Sequence, residues 1–349
     1  MASIFKLFTE SDIANVQQNY HEGIPITGTI VSGSTYNDLN IKNYSHGQWQ
    51  SVFDYPVLSS SANHIFDITA GYANNSSLSA SSNSQNAKKI NVYNSLAQVH
   101  VGYDVSGAIQ TFDQDGNIAD GGTKIKEAVF ISFSRLLVKD ELKKGNFRLT
   151  LYTASVGSPG GASGPITLGD FGAATAFKTN SPTGEYSILY TSSATPNAAS
   201  GYGLLYYQTG LCVITGSMFS AANDISGFYV NGSASGSFSG ILTGSTIATM
   251  ANGLRNRIKN ISFNNTTELH STIYNVRLDS NEFNYSSNPT YLSGSKIRVK
   301  SKNTDQPTSY ITGVGLYSAD NELIAVAKLS QPVKKTPGVS PVIRIRLDR

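Results

Sequence analysis

The sequence predicts a mainly β protein with a minor α component: antiparallel β-sandwich domains, one or two packed helices, and long loops rich in Ser and Gly. Three observations support this class. Short runs alternate between apolar and polar residues, as in 147–152, and Gly, Pro, Ser and Asn bound these runs. The chain has 19 Tyr and 15 Phe, and aromatic residues favour strands. Apolar residues recur at helical spacing mainly near 88–103 and 247–262.

Residues 1–35 predict an N-terminal arm that ends in an edge strand. Thr9 can cap a short helix near the start of the chain. Ile24 and Ile26 follow at strand spacing, and Pro25 between them restricts this strand to a sheet edge or to its own first residues. We expect the arm to add to the sheet of a neighbouring chain, with Ile24 and Ile26 among the contact residues.

Residues 36–153 predict a first β-rich domain. A low-complexity loop rich in Asn and Ser occupies 74–88, and a helix near 88–103 follows it. The apolar run 128–133 is typical of a buried strand, and the clean alternation in 147–152 is typical of a half-buried one. This part of the chain should therefore contain one helix packed against strands.

Residues 154–349 predict a second β-rich domain. Two strand candidates flank residues 208–210 (Gln-Thr-Gly), which suit a hairpin turn. The Ser-Gly run 232–244 is expected to be mobile or to become ordered on a partner. A helix near 247–262 comes next, and an antiparallel sheet over 296–349 ends the chain.

The C-terminal sheet has the clearest pattern. Residues 310–317 and 323–329 form a predicted hairpin with a polar tip, and 342–347 form a final strand. Alternation places Arg344 and Arg346 on outer or edge positions, where positive charge discourages uncontrolled strand pairing.

The composition points to surfaces that neighbouring chains cover. Charged residues make up only 14% of the sequence, against about 25% in typical globular chains. Ser, Asn, Gly, Thr and Tyr replace them, so the chain stays polar without being charged. Because charges are expensive to desolvate, such a composition suits faces that are buried on assembly. The charge is unevenly placed, since 296–349 contain ten basic and four acidic residues; solvated strand faces explain this excess most simply.

Several function classes are disfavoured. A net charge of +3 is too small to imply a nucleic-acid partner, and no window of about 18 apolar residues predicts a membrane-spanning helix. The first residues do not match a signal peptide, so we expect assembly in a cytoplasm. Cys212 is the single cysteine, which excludes an intrachain disulfide, and its apolar neighbours predict burial.

One segment has the ligand spacing of a metal site. Asp113, Asp115 and Asn117 place oxygen atoms at alternate positions around a Gly, as in the first half of a calcium loop, and Asp120 is near. The closing bidentate Glu is missing, and an Asx-rich β-turn explains the same residues, so the turn is favoured. The five histidines are scattered, and no cofactor-binding or nucleophile motif stands in a suitable context. We expect no cofactor and no enzymatic activity.

The C-terminal hairpin resembles a hairpin in structural proteins of tailed bacteriophages, including tail-fibre and baseplate-associated proteins. Residues 312–317 (Thr-Gly-Val-Gly-Leu-Tyr) and 322–327 (Glu-Leu-Ile-Ala-Val-Ala) contain the similarity. Residues 40–47, 59–67 and 124–140 are similar to uncharacterised virion structural proteins of contractile-tailed, T4-like marine phages. The resemblance implies a virion protein of the tail, baseplate or neck, whose partners are copies of itself and other virion proteins.

Contacts between subunits are then expected mainly in 1–35 and 310–349, with Tyr310, Tyr317, Arg344 and Arg346 as C-terminal candidates. Two alternatives stay open. A receptor- or glycan-binding fibre tip would use Trp49 or tyrosines to stack on a host-surface glycan. A capsid decoration protein would use the same kind of assembly surface elsewhere in the particle.

Overall fold

The computed structural model describes residues 5–26, 31–32, 35–36, 38–119, 121–153, 165–191, 201–220, 228–230, 233–234, 236–286, 288–294, 296–298, 300, 302 and 304–348. These residues form a mainly β structure with antiparallel sheets and a few helices, which confirms the predicted fold class.

The strands are, in chain order, β1 (Ile13–Pro25), β2 (Val31–Ser32), β3 (Thr35–Tyr36), β4 (Ile41–Asn43), β5 (Gln50–Phe53), β6 (His64–Tyr72), β7 (Phe112–Asp113), β8 (Lys124–Ile125), β9 (Glu127–Phe133), β10 (Glu141–Leu142), β11 (Arg148–Leu151), β12 (Ile166–Gly169), β13 (Lys178–Ser181), β14 (Gly184–Leu189), β15 (Gly203–Tyr206), β16 (Leu211–Thr215), β17 (Tyr229–Val230), β18 (Ser233–Ala234), β19 (Ile258–Arg277), β20 (Leu292–Ser293), β21 (Lys296–Ile297), β22 (Ser309–Tyr317), β23 (Leu323–Lys335) and β24 (Val342–Asp348). The α-helices are α1 (Asn86–His100), α2 (Arg135–Val138), α3 (Ala173–Ala176), α4 (Phe238–Gly244) and α5 (Ile247–Arg255). Short 3-10 turns occur at Glu10–Asp12, Asp38–Asn40, Gly216–Met218 and Pro289–Tyr291.

The chain divides into two compact units. One comprises Met1–Asn19 with Glu268–Arg349, and the other is Tyr20–Thr267. The boundaries therefore fall inside β1 and β19, not near residues 35 and 153 as the sequence suggested. The reason is pairing over long sequence distances: β6 and β9 lie in one sheet with β14, β15 and β16, so no division near 153 can separate them.

An eight-stranded antiparallel sheet dominates the unit Tyr20–Thr267. Its strand order is β13-β14-β15-β16-β9-β6-β5-β4. The predicted turn at 208–210 joins β15 to β16, and Gly210 adopts the positive φ of 66° that this turn needs. Side chains alternate between the two faces, so both faces of the central strands are buried.

Two core clusters cover the two faces of that sheet. On one face, Phe66, Ile68 and Ile131 share a cluster with Leu149 of β11 and Ile261 of β19, so two antiparallel sheets pack face to face. On the other face, residues of β9, β15 and β16 pack against α1. The predicted helix near 88–103 is thus present at Asn86–His100.

The unit formed by the chain termini is built on strand pairs. β24 pairs antiparallel with β19 from Ser271↔Asp348 to Arg277↔Val342. β22 and β23 form a separate two-stranded hairpin, as the C-terminal alternation predicted. The single antiparallel sheet predicted over 296–349 is wrong, because β21 pairs with β20 and β24 pairs with β19.

Three local predictions need correction. The helix near 247–262 ends at Arg255, and β19 begins at Ile258. Thr9 does cap a helical turn, but this turn ends at Asp12 because Ile13 enters β1. In the Ser-Gly run, the described residues from Phe238 onward form α4, whose apolar side chains are buried in the core.

Candidate functional site

The hairpin β22–β23 has one buried and one exposed face. The inner face, with Val314, Leu316 and Ala325 among its residues, packs on a small cluster with Ile343 and Ile345 of β24. The outer face includes Ile324 and Val326, which are 60% and 62% exposed. Leu323, Tyr310 and Tyr317 are also about half exposed. An amphipathic hairpin would ordinarily place polar residues outward, so this outer face is unusually apolar.

Two glycines keep the outer face low. Gly315 lies opposite Val326, and Gly313 lies opposite Lys328, so β22 places no side chain directly across from Val326 or Lys328. The Tyr317 ring leans over Gly315, with its Cε2 atom 3.1 Å from where a Cβ would stand. Tyr317 also meets Phe5 edge to face at 5.3 Å. The result is a shallow apolar surface near the turn of the hairpin. Together with Tyr310, which is exposed near the other end of β22, we call it the hairpin face (Tyr310, Tyr317, Leu323, Ile324 and Val326).

The unit that presents the hairpin face has a thin core. Among the described residues, its buried apolar cluster contains Val276, Leu278, Leu316, Ile343 and Ile345, and each of these side chains is still 5–7% exposed. The other unit has many apolar side chains with no exposed surface at all. A small core buries little apolar area per residue, and such units are only marginally stable alone.

The predicted C-terminal contact residues are on the surface. Tyr310 and Tyr317 lie on the hairpin face, and the Arg344 and Arg346 side chains are exposed on β24. Arg346 is already engaged within its own unit: its Nε donates to Asp348 Oδ1 at 2.6 Å.

The predicted N-terminal contact residues have a different role. β1 pairs with β19 of the same chain, so the arm is an edge strand of its own sheet. Ile26 is a core residue at 4% exposure, and its N–H donates to the Ile261 carbonyl oxygen at 2.7 Å. Ile24 packs half-buried against the same core cluster. Ile26 is therefore not available to a neighbour, because its apolar surface is already covered.

The candidate calcium loop is a turn closed by its own hydrogen bonds. Asp113 Oδ1 accepts the backbone N–H groups two, three and four residues further on, at 2.9, 2.9 and 3.2 Å. Asp113 Oδ2 accepts the Lys124 ammonium at 2.5 Å. Burial raises the pKa of Asp113, but these hydrogen bonds and Lys124 outweigh it and lower the pKa. Asp115 Oδ1 accepts the Asn117 N–H at 2.9 Å. Asp120 lies outside the described residues.

The structure brings together a Ser-Asp-His cluster that the sequence did not predict. Ser51 and Asp67 lie opposite each other on β5 and β6, and the Ser51 hydroxyl donates to Asp67 Oδ1. The His64 Nε2 atom lies 2.8 Å from the same oxygen, and this hydrogen bond raises the pKa of His64. Asp67 stands between the other two, so the imidazole does not contact the hydroxyl as a general base would. The arrangement can respond to pH but does not activate Ser51.

His64 and Asp67 meet because of a β-bulge. Because His64 and Asp67 are three residues apart, their side chains would point to opposite faces of a regular strand. The register shifts between Val52↔Phe66 and Phe53↔His64, which leaves Ile65 as an extra residue and returns His64 to the face of Asp67. Bulge positions follow from pairing, so no sequence spacing could have indicated this contact.

No group of three or more His, Cys, Asp or Glu side chains suited to a metal ion occurs in the described ranges. Within the same part of the chain, no helix is long and apolar enough to cross a membrane. Comparisons with protein-family models, curated proteins and solved structures return no match.

Proposed function

We propose that this protein is a non-catalytic structural subunit of a contractile-tailed bacteriophage particle, located in the tail, baseplate or neck. It assembles with copies of itself or with other virion proteins through the hairpin face. The observation that carries the proposal is the exposure of Ile324 and Val326 on the outer side of a long hairpin. The resemblance of residues 310–329 to hairpins of phage structural proteins supports the same role.

The apolar surface of the unit that contains the hairpin is incompletely buried. The hairpin face is apolar, and the unit beneath it has little core of its own. Covering a fully exposed Ile or Val contributes about 1.5–3 kcal/mol, so covering these two at their observed exposure contributes roughly 1–2 kcal/mol each. A partner that covers this face therefore stabilises both the interface and the unit that forms it.

The surrounding charges favour a protein partner that is not basic. Lys328 and Lys334 are exposed on β23, the strand that also carries Ile324 and Val326. A polar and basic rim around an apolar centre is the usual anatomy of a protein interface. The low charge of the chain as a whole reduces the number of surface ions that would be costly to desolvate.

The proposal is tested with the double variant Ile324→Thr/Val326→Thr. Thr keeps the β-branched shape that suits a strand while it removes apolar surface. Leu58→Thr/Val105→Thr is the matched control, because both residues are fully exposed in the other unit. Sedimentation velocity over a range of concentrations measures association, and far-UV circular dichroism checks the fold.

We expect the wild type and the control to associate and the hairpin variant to associate on the order of a hundredfold more weakly. Mass spectrometry of purified particles, separated into tails and heads, tests the location. A wild-type chain that stays monomeric and is absent from purified particles would contradict the proposal. If the hairpin variant assembles like the wild type, the hairpin face is not the surface through which the protein assembles.

A further inference from the structure

A polar cavity lies in the unit Tyr20–Thr267. Its volume is about 610 Å³, within the range of roughly 300–1,000 Å³ typical of small-molecule sites. Its walls come from the segment after β6, the middle of α1, the segment between α1 and β7, and the turn before β8. The lining residues are Asn74, Asn75, Asn94, Asp104, Ala108, Ile109, Gln110, Thr111, Ile118, Ala119 and Lys124.

Most of the polar lining is uncharged. Three Asn, one Gln and one Thr side chain line the cavity, and each amide offers two N–H donors and one carbonyl acceptor. The structure gives these five side chains no hydrogen-bond partner within the described residues. They are therefore available to a ligand that can both donate and accept hydrogen bonds.

The two charged lining groups do not favour an anion. The Lys124 ammonium is paired with Asp113 at 2.5 Å and also donates to the Ile118 carbonyl oxygen at 3.2 Å. Asp104 uses Oδ1 to accept the N–H groups of Ser106 and Ala108, at 2.8 and 3.0 Å. The Asp104 carboxylate stays negative, because hydrogen bonds from Ser106 and Ala108 lower its pKa. An acidic ligand would meet this charge without a free cation to compensate it.

The cavity also has an apolar side. Ile109 and Ile118 are half-buried in the wall, and two alanines accompany them. A ligand that fits must therefore combine many hydroxyl groups with C–H surface. A pyranose ring has this combination, since hydroxyls surround its rim while its faces present C–H groups.

The walls are held in place before any ligand binds. The Tyr93 hydroxyl donates to the Ile125 carbonyl oxygen and accepts the Phe112 N–H at 3.2 Å, so α1 is tied to β7 and β8. The Gln110 N–H donates to the Gly102 carbonyl oxygen at 3.0 Å, which closes the segment after α1. A preorganised wall reduces the entropy lost on binding.

The geometry points to a binding site for a neutral oligosaccharide in this cavity. Hydroxyl groups of the sugar bond the free amides, with Asn94 of α1 and Gln110 on two different walls, and the C–H faces of the ring pack on Ile109 and Ile118. A bound peptide strand pairs mainly through backbone hydrogen bonds along a strand edge, whereas the polar groups left without a partner in this cavity are side chains, four of them amides. The site belongs to a different unit from the hairpin face and does not depend on the assembly role.

Saturation-transfer difference NMR with glucose, galactose, mannose and N-acetylglucosamine tests this inference on the full-length chain. A glycan array that includes neutral, sialylated and sulfated glycans then tests the preference for uncharged ligands. We expect transfer to at least one neutral sugar and signal on neutral glycans. Binding restricted to sialylated or sulfated glycans would overturn the inference, and so would the absence of any binding at about 10 mM sugar, where even weak contacts register.

Matched variants locate the binding. Asn94→Ala should weaken sugar binding on the order of tenfold, whereas Asn91→Ala, exposed on the same helix and outside the cavity, should not change it. Gln110→Ala should act like Asn94→Ala, with Gln98→Ala as its exposed control. Thermal unfolding confirms that the four variants are folded. If all four variants bind sugar as the wild type does, the cavity is not the site.

Discussion

Gly71→Ala tests the close approach of α1 to β6. A Cβ added at Gly71 would lie 2.4 Å from the Lys89 carbonyl oxygen and 3.2 Å from the Tyr93 backbone nitrogen and Cβ. Ordinary van der Waals contact begins near 3.4 Å, so α1 would have to move away from β6 by about 1 Å. The clash involves backbone, which cannot rotate aside as a flexible side chain would. Overpacking of this kind costs typically about 1–3 kcal/mol.

The fluorescence of Trp49 measures this effect in the right part of the molecule. Trp49 is the single tryptophan and lies in the unit Tyr20–Thr267, so its signal reports the unfolding of that unit. For a unit of this size, each 1 kcal/mol lowers Tm by about 2–4 °C. A loss near 2 kcal/mol should therefore lower Tm by about 4–8 °C.

Gly121→Ala is the control for that measurement. A Cβ at Gly121 meets no atom within 4 Å, so the Tm should stay within about 1–2 °C of the wild type. Equal Tm values for Gly71→Ala and the wild type would refute the packing of α1 on β6. Because α1 also holds Asn94 in the cavity wall, the same result would undermine the proposed sugar site.

Two further predictions concern titratable groups. The Lys89 ammonium is fully buried and donates to three carbonyl oxygens at 2.6 Å, so Lys89→Met should cost at least about 2 kcal/mol in urea unfolding at pH 7. Burial lowers the pKa of Lys89 from 10.5 to about 8. Between these two pH values the unfolded state binds more protons than the folded state, so the free energy of unfolding of the wild type should rise from pH 8 to 9.5. The same rise in the Lys89→Met variant would contradict this explanation. The hydrogen bond to Asp67 raises the pKa of His64. The protonated His64–Asp67 pair therefore stabilises the folded state below about pH 6.5, and this stabilisation is lost as the pH rises through the pKa of His64 in the folded state. Asp67→Asn should remove this pH dependence from urea unfolding, and identical pH profiles for variant and wild type would show that the pair does not form.

Segments with a single clean period could be predicted from the sequence. The hairpin β22–β23 alternates over most of its length, and α1 has apolar residues at helical spacing, so both were expected close to where they occur. In both cases a local pattern determines the element, and no distant partner is needed to interpret it.

The misassigned end of the helix near 247–262 has a specific cause. Ile258 and Ile261 are three residues apart, which fits a helix, yet both are buried in β19. The register against β11 runs from Thr150↔Asn260 to Leu151↔Ile258, so Lys259 is an extra residue in the strand. A bulge thus turns a strand's period of two into a local spacing of three, which the sequence alone cannot distinguish from a helical turn.

The two candidate sites differ in how far the sequence could indicate them. The exposed face of the hairpin could be expected from alternation, because Ile324 and Val326 share a face. The cavity could not, since Asn75, Asn94 and Gln110 come from three separate elements and meet only in the folded sheet-and-helix layer. Amide side chains also give no sequence signal in a chain so rich in Asn and Ser.

Several of the few charged residues in this sequence are buried in the structure. Lys89, Asp113, Asp170, Arg257 and Lys335 are at most 1% exposed, so several of the few charges lie inside the protein and not on its surface. Asp170, for example, accepts a hydroxyl and two backbone N–H groups, although burial raises its pKa. Removing one partner of such a buried charge is strongly destabilising, whereas exposed charges contribute little. These interior charges therefore hold loops and helices in place, whereas exposed charges such as Lys328 and Lys334 contribute little to stability.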